Sequence, residues 1–410
     1  MNKKIVILAL HLGTGGAEKV ISNLANLLSE NNDVEIISTY KLRNSPAFYI
    51  SNKVTINYLT TNLEPNKQEI KNALKNFNLI RLVFEAFKSF KILILRKKLM
   101  VNAIKNLDCD IVISTRILHN NWVSKYAKSN IIKIAQEHNH HNNNVKYIKK
   151  LIRSLKNFDY FMPVSKELCD FYSQKISKPK VIYIPNFIDS ISNETCNLSS
   201  KQLISVGRLD PVKGFDDLID IFNLFCKSYP DWNLHIVGDG PEKQNLQSKI
   251  DMLGLTKKVT LCGTKHSKNL DIEYLNSSIY VMTSHSESFG LVLVEAANFG
   301  LPLLAFDSAQ GAKEIIENNK NGFLIKNRNS EEMIAKLEEL ISDPSKMQYF
   351  SKNSKNTALK FSKETISKAW NKFFRRMYGA QSELTALSGT HYTNFRILAR
   401  AAFSRRLTCA

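Results

Sequence analysis

Cysteine is scarce and scattered: six in 410 residues, at positions 109, 169, 196, 226, 262 and 409. No two form a CxxC pair and none stands at zinc-ligand spacing from a histidine. A disulfide framework and a structural zinc are therefore not indicated, and the thiols read as reduced. Long apolar runs are missing as well. No stretch reaches eighteen uninterrupted apolar residues, so no membrane-spanning helix is expected. Lys3 and Lys4 precede an apolar run, Ile5 to Leu10, but it is short and passes into Gly-rich polar sequence without a small-residue cleavage site. A first β-strand of a cytoplasmic protein is the expectation. Acidic charge is in short supply: 37 Asp/Glu stand against 57 Lys/Arg, a net charge of +20. Residues 1–190 hold 29 basic against 14 acidic side chains, residues 191–410 only 28 against 23. A basic first half is expected to meet an anionic partner, although a codon bias towards lysine and asparagine gives the same totals. Lysine is absent from residues 379–410, which carry four arginines. That segment reads as an atypical tail outside the fold.

With 43% apolar residues the chain can fill two cores. Strand and helix patterns alternate throughout, the signature of doubly wound parallel sheets. Ile5–Leu10, Val34–Thr39, Ile111–Ser114, Ile131–Ala135, Tyr160–Val164 and Val181–Ile184 read as strands of a first α/β domain, residues 1–184, with a helix over Ala17–Leu28. Residues 185–200, starting at Pro185, have no period and read as a linker. A second domain, 201–362, follows. Its strands are Leu203–Val206, Asn233–Val237, Val259–Cys262, Ile279–Met282 and Leu303–Ala305, and its helices Phe215–Ser228, Glu242–Leu253, Leu291–Phe299, 330–342 and 345–360. A last amphipathic helix is expected over 363–378.

The chemistry-bearing residues fall in strand-to-helix turns. After strand Ile279–Met282 comes Thr283 to Glu295 (TSHSESFGLVLVE), with Gly290 opening an apolar helix. Glu287 sits in the turn and Glu295 about one helical turn beyond, where the carboxyl ends of parallel strands place ligands. Gly207 to Gly214 (GRLDPVKG) puts Arg208 and Lys213 around a proline turn before a helix, a pairing suited to a diphosphate; plain surface solvation is the alternative. Gly238 and Gly240 shape another such turn, either a wall for a nucleotide base or merely a turn. Near the amino terminus Gly13, Gly15 and Gly16 let backbone amides approach an anion. They lack the full GxGxxG spacing and a following acid, so a dinucleotide site is not indicated. His138 ends a strand of the first domain, as an active-site imidazole or a loop histidine. Adjacent His140 and His141 lack the spacing for a metal. Residues 67–106 hold ten Lys/Arg among Ile80, Phe84, Phe87 and Phe90, and Lys146–Lys156 repeats the theme. Such helices lie on a membrane surface or pack on their own sheet.

Together these motifs resemble the retaining glycosyltransferases of family 4, which have the GT-B fold. The matching pieces are GTGGAEKVISNLANLL, PNFID, SVGRLDPVKGFDDLI, HIVGDGPE, SHSESFGLVLVEAANFGLP and NGFLI. The resemblance implies two Rossmann-like domains facing across a cleft, the first for acceptor, the second for nucleotide sugar, with the helix over 363–378 crossing back to the first. It implies that Arg208 and Lys213 hold the diphosphate and that Glu287 binds the transferred sugar. Ser288, Phe289, Gly290 and Leu291 would contact sugar and phosphate, and Glu295 the ribose. Gly15, Gly16 and His138 would lie at the active site, and no metal or other cofactor would be needed.

The resulting expectation is a metal-independent enzyme moving a hexose from a UDP- or GDP-sugar, UDP favoured, to a polyprenyl-diphosphate-linked or growing glycan acceptor in bacterial surface-polysaccharide assembly. It would be cytoplasmic, in peripheral contact with the anionic inner leaflet through its basic first-domain helices, and without a nucleic-acid partner. The rival readings are a nucleotide-sugar epimerase on the same fold and a non-enzymatic basic protein binding nucleic acid.

Overall fold

The computed structural model describes residues 2–61 and 66–378, with Lys67 and Gln68 described by backbone alone; the expected tail, 379–410, lies outside the described residues. Residues up to Lys363 form one compact unit, which contains two sheets. The first sheet has seven strands: β1 (Lys4–Ala9), β2 (Asp33–Tyr40), β3 (Val54–Thr60), β4 (Ile111–Ser114), β5 (Ile132–Glu137), β6 (Tyr160–Pro163) and β7 (Lys180–Val181), in the order β3-β2-β1-β4-β5-β6-β7. All its pairings are parallel. The connecting helices are α1 (Gly16–Leu28), α2 (Lys67–Lys75), α3 (Leu79–Lys105), α4 (Ile117–Tyr126), α5 (Val145–Ser154) and α6 (Lys166–Ser173).

The second sheet is also wholly parallel, in the order β10-β9-β8-β11-β12-β13. Its strands are β8 (Gln202–Val206), β9 (Asn233–Val237), β10 (Val259–Leu261), β11 (Ile279–Met282), β12 (Leu303–Phe306) and β13 (Gly322–Ile325). Its helices are α7 (Phe215–Ser228), α8 (Lys243–Met252), α9 (Lys268–Leu275), α10 (Leu291–Asn298), α11 (Ala312–Ile315), α12 (Ser330–Ser342) and α13 (Pro344–Lys360). The central strands β11 and β12 are apolar throughout because both faces are covered. In β11, Ile279 and Val281 pack into a core with Phe222, Phe225 and Phe350, while Tyr280 and Met282 join another with Leu293 and Phe289. Fully burying one such aliphatic side chain is worth about 1.5–3 kcal/mol, so the strands are rigid platforms for the turns they carry.

Five elements were not anticipated: β3, α4, α9, α11 and β13. Residues 185–200, expected as a linker, run as an ordered strap despite their polar composition. Phe187, Ile188 and Cys196 are buried, and the strap is pinned where the Ile188 amide donates to the Phe361 carbonyl at 3.0 Å and the Cys196 amide to that of Phe299 at 2.7 Å. The two basic segments differ in how far they are buried. In α5, Leu151 is buried, with Ile148 and Ile152 packed against the first core. In α3, Met100, Val101 and Ile104 join that core, and Ile92 and Glu85 are also buried, while Ile80, Val83, Phe84, Phe87 and Phe90 stay exposed.

A final helix, residues 363–378, belongs almost wholly to a second unit that begins at Glu364. Within it Trp370 stacks edge-on against Phe373, with ring centroids 5.8 Å apart, and Lys368 pairs with Glu364 one turn away.

Candidate active site

Both sheets reverse strand order beside their first strand: β1 lies between β2 and β4, and β8 between β9 and β11. At such a switch point the segments leaving neighbouring strands diverge, and a crevice opens beyond their carboxyl ends. In the second sheet those segments are Gly207–Gly214 after β8 and Thr283–Gly290 after β11, the two stretches that the sequence singles out. They are fastened together. Thr283 Oγ1 donates to the Gly214 carbonyl at 2.7 Å, and the His285 amide donates to the Val212 carbonyl at 2.8 Å. Gly214 has φ +61°, and a Cβ there would stand 2.3 Å from the Thr283 carbonyl oxygen. With the turns so joined, the Lys213 ammonium lies on the Glu287 carboxylate, both side chains about four-fifths buried.

The rest of the second-sheet candidates support this pair. Gly290 caps α10 in the left-handed region, φ +85°. Phe289 is buried, its ring edge-on to Phe361 at 5.5 Å, so only its backbone is available to a ligand. Ser288 and Leu291 are half-buried. The Glu287 carbonyl accepts from the Gly311 amide at 2.9 Å. Arg208 is exposed on its turn and has no ion-pair partner among the described residues. Gly238 and Gly240 are closely packed: added Cβ atoms would stand 1.8 Å from the Gly207 carbonyl oxygen and 2.3 Å from that of Leu209. Arg328, which the sequence did not single out, braces the Ser284 turn. Its Nη1 donates to the Ser284 carbonyl at 3.1 Å and to Ser308 Oγ at 3.0 Å, and its guanidinium lies over the Phe306 ring and pairs with Asp217.

At the first switch point His11, Glu18 and Arg116 converge, a cluster also not anticipated. Arg116 Nη2 donates to Glu18 Oε1 at 2.7 Å, with His11 Nδ1 3.7 Å from the same oxygen. Burial holds the His11 pKa below its ordinary value despite the pull of Glu18. Gly15 is needed for this packing, since a Cβ would stand 2.2 Å from Glu18 Oε2, whereas a Cβ on Gly16 would meet open space. His138 follows β5, with both ring nitrogens shielded from solvent and unpaired. Burial, helped by Arg116, pushes its pKa down to about 4, so the ring is neutral at pH 7. Burial likewise pushes Glu137 up to about 7, against hydrogen bonds from Asn139. His140 and His141 stack on each other at 4.6 Å, and His141 packs on Phe171 at 4.2 Å.

Among the described residues, several contacts link the turns of the two sheets. Ser286 Oγ donates to Asn142 Oδ1 at 2.8 Å, Phe48 meets His266 edge-on at 6.0 Å, and Lys19 of α1 pairs with Glu295 of α10. The second oxygen of Glu295 accepts from Tyr274 Oη at 3.2 Å. Among the described residues, two groups bring three metal-ligating atoms within 4.8 Å of one another: His235, Cys262 and Glu273, and Asp216, Asp217 and His285. In each, a cation already holds the carboxylate, Lys265 on Glu273 and Arg328 on Asp217. Neither group includes His138, Glu287 or Glu295.

Comparison with known proteins agrees with this architecture. The family Glycosyl transferases group 1 matches residues 189–357. An uncharacterized glycosyltransferase of Haemophilus influenzae is 30% identical over 90% of this chain and 99% of its own. The amylovoran biosynthesis glycosyltransferase AmsD of Erwinia amylovora is 26% identical over 90% of this chain and 99% of its own. Among solved structures, TarM of S. aureus superposes with a TM-score of 0.73 at 17% identity, covering 91% of this chain and 99% of that one. The protein therefore belongs to the glycosyl transferases group 1 family, and its two Rossmann-like parallel-sheet domains are those of a GT-B glycosyltransferase.

Proposed function

We propose that this glycosyltransferase moves a hexose from a nucleotide diphosphate sugar, UDP favoured over GDP, to a lipid-linked or growing glycan acceptor in bacterial surface-polysaccharide assembly. The configuration at the transferred carbon is retained, and no metal takes part. One observation carries this reading. Lys213 and Glu287 touch where the turns after β8 and β11 are clamped together, at the amino end of α10. An ammonium suited to diphosphate oxygens there adjoins a carboxylate suited to sugar hydroxyls.

In this scheme the bond from the anomeric carbon to the β-phosphate oxygen breaks, and the charge left on the diphosphate is met by Lys213, by the unpaired Arg208 and by the first amides of α10. The acceptor hydroxyl attacks from the same face and gives its proton to a departing phosphate oxygen. Glu287 holds the transferred sugar and Glu295 the ribose diol. Neutral His138 serves as a hydrogen-bonding group on the acceptor side, and Gly16 leaves the first-sheet turn open to close approach. The relatives support the same reading: AmsD is an amylovoran biosynthesis glycosyltransferase, and the TarM structure contains UDP.

The acceptor's lipid anchor is the natural partner of α3. That helix presents Phe84 and Phe87, 66% and 57% exposed, among Lys88, Lys91, Lys97 and Lys98. Apolar side chains with a basic surround bind an anionic bilayer surface in this way. No helix among the described residues is long and apolar enough to cross a membrane.

A thermal-shift panel of UDP- and GDP-sugars tests the assignment, because a ligand bound only by the folded state raises the melting temperature. The donor that stabilises the protein should be consumed at a useful rate only when an acceptor is supplied. Fast turnover without acceptor would favour an epimerase, and salt-sensitive RNA binding with no turnover would remove the enzymatic reading.

A further inference from the structure

Lys19 stands between the two sheets, in contact with one acid and under the influence of two more. It rises from the first turn of α1, whose neighbouring residue Glu18 is locked to Arg116 within the first sheet. Consecutive helix positions lie about 100° apart, so Glu18 faces its own sheet while Lys19 reaches out of it. The Lys19 ammonium lies on Glu295 Oε1, and the Asp189 and Asp271 carboxylates also act on it; burial alone would lower its pKa, but these three acids raise it. The Phe48 ring, 5.9 Å from the ammonium, completes the surroundings.

Glu295 is more fully committed. Oε1 is taken by Lys19, and Oε2 accepts from the hydroxyl of Tyr274, which is 1% exposed and cannot withdraw. A ribose diol that chelates this carboxylate needs both oxygens to face it, and an ionised carboxylate has about four lone-pair positions for all its donors. Of the two present partners only Lys19 can move. Its side chain is 28% exposed on a flexible four-carbon stem, and Asp189 and Asp271 offer it a second berth.

We propose that Lys19 is a positioning residue for the donor: its ammonium and the ribose diol exchange on Glu295, so nucleotide binding is coupled to the link between the two sheets. This rests on the reading of Glu295 as the ribose carboxylate. Lys19 keeps Glu295 ionised and aimed, and yields to the diol at a cost that lowers nucleotide affinity. The same exchange frees α1 from α10, so the first sheet registers whether the ribose subsite is filled.

The test is calorimetric titration of the full chain with UDP and with GDP, using inorganic pyrophosphate as a probe that has no ribose. Lys19→Met removes the competitor, and the preferred nucleotide should bind about two- to fivefold tighter, the range that a partly exposed ion pair is worth. Pyrophosphate affinity should stay unchanged. Lys19→Arg, which retains the charge, should restore wild-type nucleotide affinity, an outcome that loss of packing alone would not give. Glu295→Gln should weaken nucleotide at least tenfold. If Glu295→Gln weakens nucleotide while Lys19→Met leaves it unchanged or weaker, the exchange is overturned and the ribose assignment stands. If Glu295→Gln leaves nucleotide affinity intact, or neither nucleotide binds, the ribose assignment itself falls and the exchange with it.

Discussion

The hydroxyl of Thr283 donates to the carbonyl oxygen of Gly214 at 2.7 Å, closing the turn after β11 onto the turn after β8. That bond, with the amide of His285 on the Val212 carbonyl, brings Lys213 and Glu287 together although 74 positions separate them. In the proposed reaction a pair held by such clamps is preorganised, and it costs nothing to arrange at the moment of reaction.

Glu287→Gln is accordingly expected to lower kcat by roughly 10²–10³-fold, the usual loss when one aimed polar group is removed from a reaction centre. Glutamine keeps the volume and an acceptor oxygen for Lys213, so the melting temperature should change far less than turnover. Steady-state kinetics beside a thermal melt checks both halves. Glu295→Ala should instead raise the donor KM more than it lowers kcat.

Two glycines should respond oppositely. Gly238 has φ +150°, and a Cβ there would stand 1.8 Å from the Gly207 carbonyl oxygen. Gly238→Ala is expected to cost about 2 kcal/mol or more and to depress the melting temperature. A Cβ on Gly16 meets nothing within 4 Å, so Gly16→Ala should leave the melt unchanged while impairing turnover. Equal melts for the two variants would refute the contrast.

Stability should depend on pH through Glu137. Burial raises its folded pKa to about 7 from an ordinary 4.5, so between these values the folded state binds more protons than the unfolded one. Stability then falls as pH rises from 4.5 to 7 and levels off above. Glu137→Gln removes this term, and its melting temperature should gain on the wild type across that window and keep a constant lead beyond it. A lead that does not vary with pH would show that Glu137 ionises normally. His138 contributes in the other direction, since its lowered pKa withdraws stability as pH falls from 6.5 towards 4.

Membrane contact through α3 predicts that Phe84→Ser with Phe87→Ser reduces co-sedimentation with anionic vesicles and leaves the melt unaltered, because both side chains are exposed. Binding to neutral vesicles should be weak in the wild type too, and raised salt should release it. Vesicle binding unaffected by the double substitution would remove α3 as the contact.

What could be read from the chain alone was whatever depends on near neighbours. The strands buried on both faces announce themselves as apolar runs, and Glu287, Lys213 and Gly290 stand out because each turn is a local motif. The edge strand β3 escaped notice because its residues alternate with exposed ones such as Asn57. Helix α9 is short and heavily charged, with no clear period, and β13 is four residues long. The pairs Arg116–Glu18 and Lys19–Glu295 span 98 and 276 positions, separations at which only the packing of sheets decides who meets whom. The glycines beside Glu18 and Lys19 drew attention to that turn, and the two charges that follow them are what connects it to the rest of the site.

Glu18 and Lys19, adjacent on α1, answer to different sheets: Arg116 in one case, Glu295 in the other. This limits how freely the scaffold can be recombined. A chimera that grafts a foreign amino-terminal half onto the second sheet without a cation at the position of Lys19 leaves Glu295 without the ion-pair partner it has here. The amino-terminal half cannot then be transplanted as a self-contained module. The graft has to be matched to its recipient at a single helical turn.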